Sequence, residues 1–157
     1  MTMIISGDNG LTYPNSTVQA SAGVVLQVVN ATYSTSTQTS TSTFVNTGLT
    51  ASITPKFSTS KILVIVNQQG LYTAASNYFN GLQLLRGSTV LVAIGGTGST
   101  TAGNLYISSA STSYLDSPAT TSSTTYSTQF KSTNNNGAVG VQIGGEPSTI
   151  TLLEIAG

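Results

Sequence analysis

The stretch "KILVIVNQQGLY", Lys61 to Tyr72, sets five consecutive apolar residues, Ile62 to Val66, between a lysine and three amide side chains. Most of the five are β-branched, which suits a pleated surface better than a helix. The run is apolar on both faces, so it predicts a strand lying inside a sandwich. Outward from it, "GVVLQVV" (Gly23–Val29), "GLQLLRGSTVLVAI" (Gly81–Ile94), "NLYIS" (Asn104–Ser108) and "STITLLEI" (Ser148–Ile155) have the same character. "YSTQFKS" alternates instead: Tyr126, Thr128 and Phe130 share one face, and Ser127, Gln129 and Lys131 the other. Asp8-Asn9-Gly10, Asn80-Gly81 and Asn136-Gly137 tolerate positive φ and predict tight turns. No stretch carries a helical period. The expected class is all-β, a jelly-roll-like two-sheet β-sandwich of about eight to ten strands.

"YSTSTQTSTSTF" (residues 33–44) is nearly pure serine and threonine. A flexible linker would mix Gly and Pro into it, and neither occurs. Thr falls at 35, 37, 39, 41 and 43, which is strand periodicity in polar material. The stretch is expected to be a solvent-facing strand and turn leading into "VNTGLTASITP" (Val45–Pro55); the alternative is a disordered polar insert. In either case it does not divide two domains. The first residues have turn signals and a Pro but few core-type side chains. The expected organisation is therefore an extended N-terminal arm over 1–22 and one β-sandwich domain over 23–157.

Charge narrows the function. Four basic and four acidic side chains give a net charge of zero, and Ser and Thr make up about a third of the chain. Such a protein has no counterion-release term with which to hold nucleic acid or an anionic membrane. Cysteine and histidine are absent, so disulfides, zinc and thiol chemistry drop out, and no cofactor or metal is expected. The start lacks the basic and long apolar segments of a signal peptide, and the longest apolar runs are far too short to span a membrane. The expectation is a protein made in a cytoplasm, with no membrane insertion.

Catalytic motifs fare poorly. The glycine-rich run from Gly95 to Gly103 has no lysine after its last glycine and no helix to follow, so it reads as a hairpin or a sheet-to-sheet loop. The carboxylates are Asp8, Asp116, Glu146 and Glu154, none near another in sequence. A glycosidase needs two flanking the scissile bond, and Asp116 in "YLDSPAT" reads as a turn residue before Pro118. Without histidine, serine lacks its usual base. Asn15-Ser16-Thr17 and Asn30-Ala31-Thr32 match a glycosylation pattern by chance in an Asn/Thr-rich chain. Tyrosine suits recognition surfaces as well as cores. Tyr72, Tyr78 and Tyr126, with Phe130, are expected in the core or a subunit interface; Tyr106 and Tyr114 are expected in exposed recognition loops.

"GLTYPNSTVQASAG" (Gly10–Gly23), "FVNTGLTASITPKFSTSKILVIV" (Phe44–Val66), "YLDSPATTSSTTYSTQFKS" (Tyr114–Ser132) and "STITLLEIAG" (Ser148–Gly157) together resemble the small β-sandwich proteins and terminal domains of tailed-bacteriophage virions, especially tail-fibre-like proteins of aquatic phages. The succession of "KILVIVNQQGLY" and "FNGLQLLRGSTVLVA" is similar, more loosely, to C1q/TNF-like trimeric jelly rolls. The first resemblance implies a non-enzymatic virion structural protein, a short tail-fibre or knob component in host attachment. The second implies a homotrimer. Expected partners are its own copies, other virion proteins through the arm, and a host-surface glycan or protein. The alternatives are a capsid decoration (cement) protein and, from another class, a polysaccharide-degrading tailspike. The resemblance supplies no catalytic residues.

Overall fold

Strand after strand follows from the apolar alternation. The computed structural model describes residues 4–6, 10–12, 18–19, 24–74, 78–99, 106–133 and 137–157, with side chains described from residue 24 onward except at 78, 99, 106 and 107. In chain order the strands are β1 (Ile4–Ser6), β2 (Gly10–Thr12), β3 (Val18–Gln19), β4 (Val25–Tyr33), β5 (Thr37–Thr39), β6 (Val45–Ile53) and β7 (Lys61–Thr73). There follow β8 (Tyr78–Arg86), β9 (Thr89–Gly95), β10 (Gly98–Ser99), β11 (Tyr106–Asp116), β12 (Thr124–Ser132), β13 (Val139–Val141) and β14 (Ser148–Ile155), with a short 3-10 turn at Ile143–Gly145.

From β4 onward the strands form two antiparallel sheets. In the first, β14 and β13 lie end to end between β4 and β5 on one side and β7 on the other, and β11 closes the far edge. In the second, the order is β6, β12, β8, and then β9 and β10, both of which pair with β8. Treating the end-to-end strands as single units gives eight, in the orders 1-8-3-6 and 2-7-4-5. That interleaving is the jelly roll, in which successive strands alternate between sheets except where the fourth and fifth pair as a hairpin.

Between the sheets lies one core. Ile62, Val64, Val66, Ile150 and Leu152 from the first sheet meet Leu49, Ile53, Leu84, Tyr126 and Phe130 from the second, all essentially solvent-free. Alternation along β12 places Tyr126, Thr128 and Phe130 inward, and β14 buries every second residue.

Several expectations are corrected. The arm expected over 1–22 pairs β1, β2 and β3 into a three-stranded antiparallel sheet, so its described parts fold back on themselves. Pairing satisfies backbone groups that an extended arm leaves to solvent. Within the Ser/Thr stretch Tyr33 ends β4 and Thr37–Thr39 form β5, both on the first sheet, and residues 40–44 carry the chain across to the second. The stretch is anchored where it begins: the Tyr33 ring lies on Gly48, at φ +90°, where a Cβ would fall 2.2 Å from the ring. Asn80-Gly81 is not a turn but mid-strand in β8, because the Asn80 amide is buried and donates to the Gly140 carbonyl at 2.7 Å. The hairpin instead turns at Gly87, φ +55°. Asp8 and Asn9 of the first turn signal, and Asn136 of the last, lie outside the described residues.

Candidate functional site

Three polar assemblies tie the sheets together. Across the middle, a directional chain runs from the Leu49 amide to Thr47 Oγ1 (3.0 Å), Thr47 to Thr128 Oγ1 (2.6 Å) and Thr128 to Gln68 Oε1 (3.0 Å). Gln68 Nε2 then donates to Ser148 Oγ at 2.8 Å. Thr47 and Thr128 each accept from one neighbour and donate to the next, and Ser148 Oγ ends the chain by accepting also from the Gln69 amide and Gln142 Nε2, so buried polar groups that would otherwise be costly are paired.

At the end of β11, Arg86 Nη1 donates to both oxygens of Asp116 at 2.9 Å, and the Tyr126 hydroxyl donates to Asp116 Oδ2 at 2.7 Å. Burial, then the hydrogen bond and charge of Asp116, push the Tyr126 phenol well above its usual pKa. Asp116 is thus a buried, strand-ending clamp between β11 of one sheet and β8 and β12 of the other, not the turn residue expected.

The third assembly surrounds Glu154, fully buried on β14. Its carboxylate accepts from Gln27 Nε2 and, at 2.7 Å, from the Lys56 amide in the β6–β7 turn. Burial pushes this carboxyl upward, but the bonds from Gln27 and from the Lys56 and Phe57 amides outweigh it and hold the pKa below the ordinary value. Lys56 Nζ also reaches the Leu26 carbonyl at 3.3 Å, so this turn is held at two points. Asp116 and Glu154 both serve the packing of the sandwich, while Glu146 is exposed.

The outer face of the first sheet is unlike that interior. A two-layer sandwich buries one face of each sheet, so the two-sided apolar run at Ile62–Val66 leaves Leu63 and Ile65 outside; burial on both faces was expected, and Ile65 is 42% exposed. Register makes this a row. Leu63 stands opposite Leu153 on β14 and Leu115 on β11, and Leu153 stands opposite Val28 on β4. Val28–Leu153–Leu63–Leu115 therefore crosses all four strands, with Val28 58% and Leu115 49% exposed.

The outer face of the second sheet is polar across β6 and β12 as far as Gln83 on β8, while Val90, 53% exposed, stands opposite Leu85 toward its β9 edge. Gln83 donates to Gln129, Gln129 to Asn46, and the Ser52 and Thr125 hydroxyls pair at 2.7 Å. At one end this face opens into a cleft of about 490 Å³ between Phe44 and Phe79, bordered by Leu82, Ala93 and the Gly95–Gly98 loop. The glycines are required. A Cβ at Gly98 would fall 2.2 Å from the Phe79 ring, and one at Gly96 would strike the Asn80 carbonyl.

Of the aromatic residues singled out from the sequence, Tyr126 and Phe130 lie in the core. Tyr72 is half-buried and points outward on β7, between buried Leu71 and Thr73, with Ile107 and Gly140 as its register neighbours. The side chains of Tyr78 and Tyr106 lie outside the described residues. Tyr106 and Tyr114, expected in loops, both belong to strand β11, and the Tyr114 side chain packs against the core. Serine and alanine disguised that strand, whose backbone pairs with β7 along nearly its full length. Phe44, Phe79 and Lys131 were not singled out as a site; the signal available was two phenylalanines, each close in sequence to a strand on the second sheet.

No family model and no curated protein matches the sequence. Among solved structures, the fold is similar to T=1 particles derived from infectious bursal virus, at 12% identity and a TM-score of 0.45, covering 98% of this chain and 44% of that one. It is also similar to the VP2 subviral particle of infectious bursal disease virus, at 14% identity and a TM-score of 0.45, covering 97% and 45%. The chain thus spans less than half the length of these solved chains.

Proposed function

We propose that this chain is a structural protein of a tailed-phage virion, a short tail-fibre or knob component that acts by binding rather than catalysis. The observation that carries this reading is the apolar row Val28–Leu153–Leu63–Leu115 on the outside of a closed jelly roll. Contiguous exposed apolar side chains across a sheet mark a surface for association. In the homotrimer proposed here, each copy turns this face toward its neighbours, and several weak attachment sites per assembly add to a firm grip on a host surface. The jelly-roll strand order and the segments resembling tail-fibre-like proteins support the reading, as does the use of Asp116 and Glu154 within the fold.

Immunogold microscopy on virions tests it. Label at the tail or its fibres is the expected result. Label spread over the head would reassign the chain to capsid decoration, and an accessible epitope with no label on any particle would overturn the virion reading. Steady release of reducing ends from a host polysaccharide would overturn the non-catalytic part.

A further inference from the structure

The cleft on the second sheet has a chemistry of its own. Phe79 is 41% exposed and stands over Gly98, so its ring is presented to the opening. Phe44 also lines the cleft. Lys131 lies beside two of the lining residues, Gly81 and Phe44, without lining the cleft itself. Because Gly81 lacks a side chain, the Lys131 stem lies across it, with Cγ 3.7 Å and Cε 3.9 Å from where a Cβ would be. Its ammonium comes to rest 4.7 Å from the centre of the Phe44 ring. Gly95 and Gly96 are exposed at the rim, so peptide groups there meet a ligand without intervening side chains.

Each feature asks something of the occupant. Flat aromatic walls suit a molecule with an apolar ring face. Bare glycine peptides suit hydroxyl groups along its edges. Lys131, which among the described residues pairs with no carboxylate, suits a negative charge at one corner. A wholly apolar occupant would cover an ammonium and peptide groups without pairing them, at a cost. The volume falls within the range of small-molecule sites, about 300–1,000 Å³. We propose that this cleft binds an acidic sugar residue of a polysaccharide, a hexuronic acid whose ring face lies on Phe79 and whose carboxylate meets Lys131 beside Phe44. The inference gives the attachment reading a ligand class, and it rests on that reading only for its biological meaning.

The test uses the full chain and trigalacturonic acid, with the fully methyl-esterified trimer as a ligand of the same shape without charge. Calorimetric titration at low salt is expected to give a dissociation constant of about a millimolar for the acid, and about tenfold weaker binding for the ester, the scale of one charge-assisted hydrogen bond. Lys131→Gln should bring the acid down to the level of the ester. Phe79→Ala should weaken both by about tenfold or more, with circular dichroism confirming that the variant is folded. Equal binding of acid and ester, no binding of either at millimolar concentrations, or acid binding unchanged in Lys131→Gln would each overturn the proposal. Because the titration uses isolated protein, failure here leaves the location on the virion untouched, and failure of the immunogold result leaves the cleft untouched.

Discussion

The two outer faces of the sandwich are built with the same antiparallel pairing, yet at their centres their dress is opposite. On the first sheet, Val28, Leu153, Leu63 and Leu115 make an apolar band from edge to edge. On the second, Asn46, Gln129 and Gln83 form an amide ladder, with Ser52 and Thr125 paired beside it. The difference teaches that hydration, not strand pairing, separates them. Amides and hydroxyls satisfied by one another still offer groups to water, whereas the apolar band offers none. A neutral chain cannot rely on charge to keep its faces apart, so the composition of each face decides what it meets.

That contrast can be broken at its strongest point. Replacing Leu63 and Leu153 together by Asp should reduce the mass seen by light scattering from near three chains to one, with the strand signal in circular dichroism retained. A wild-type protein that is already a clean monomer, or a double variant of unchanged mass, would remove the apolar face from assembly.

Next in size is a loss the faces share. Asp116→Ala leaves the Tyr126 hydroxyl buried without its acceptor and Arg86 without its carboxylate; since Arg86 is partly exposed, the expected cost is about 3 kcal/mol in denaturant unfolding. An unfolding free energy lowered by less than a fifth of that would mean the clamp follows the packing rather than securing it.

A smaller effect separates the sheets by pH. The Glu154 carboxyl has a lower pKa folded than unfolded, so its contribution is fully present above the ordinary glutamate value, about 4.3. It is lost as pH falls through the folded value. Stability should therefore decline on acidification, and Glu154→Gln should flatten that decline while lowering stability at neutral pH. An unchanged acid limb in the variant would assign it to other carboxylates. Least of all, Gln129→Ala on the polar ladder should cost about 0.5 kcal/mol, because water replaces the lost partners of an outward amide.

How much of this could be read from residues alone depends on whether the signal was local. Alternation at Tyr126–Ser132 was legible, since a period of two needs only neighbours, and its inward set is the buried set. The strength of Ile62–Val66 as a strand was legible too, but which of its faces stays outside depends on how many layers the sheets make. Asn80-Gly81 misled because a favourable turn pair was overridden by a long-range bond from Asn80 to Gly140. Ser111 to Tyr114 of β11 was hidden for the opposite reason, since its pairing with β7 comes from backbone groups that composition does not reveal. The apolar row and the cleft belong to register: Leu63, Leu115 and Leu153, or Phe44, Phe79 and Lys131, become neighbours only when the strands align.

The turn fastened by Glu154 also governs how a protease reaches the folded chain. A protease that cuts after lysine or arginine meets four such residues here; Lys61 and Lys131 sit in strands, where the backbone cannot enter a protease active site without leaving its sheet, while Arg86 ends β8 with its side chain held by Asp116. Only Lys56 lies in a connection between strands, and there its amide is held by Glu154 and its ammonium by Leu26. Cleavage after Lys56 must therefore wait for that knot to come undone, which makes the rate of nicking there a direct clock for the opening of this end of the sandwich.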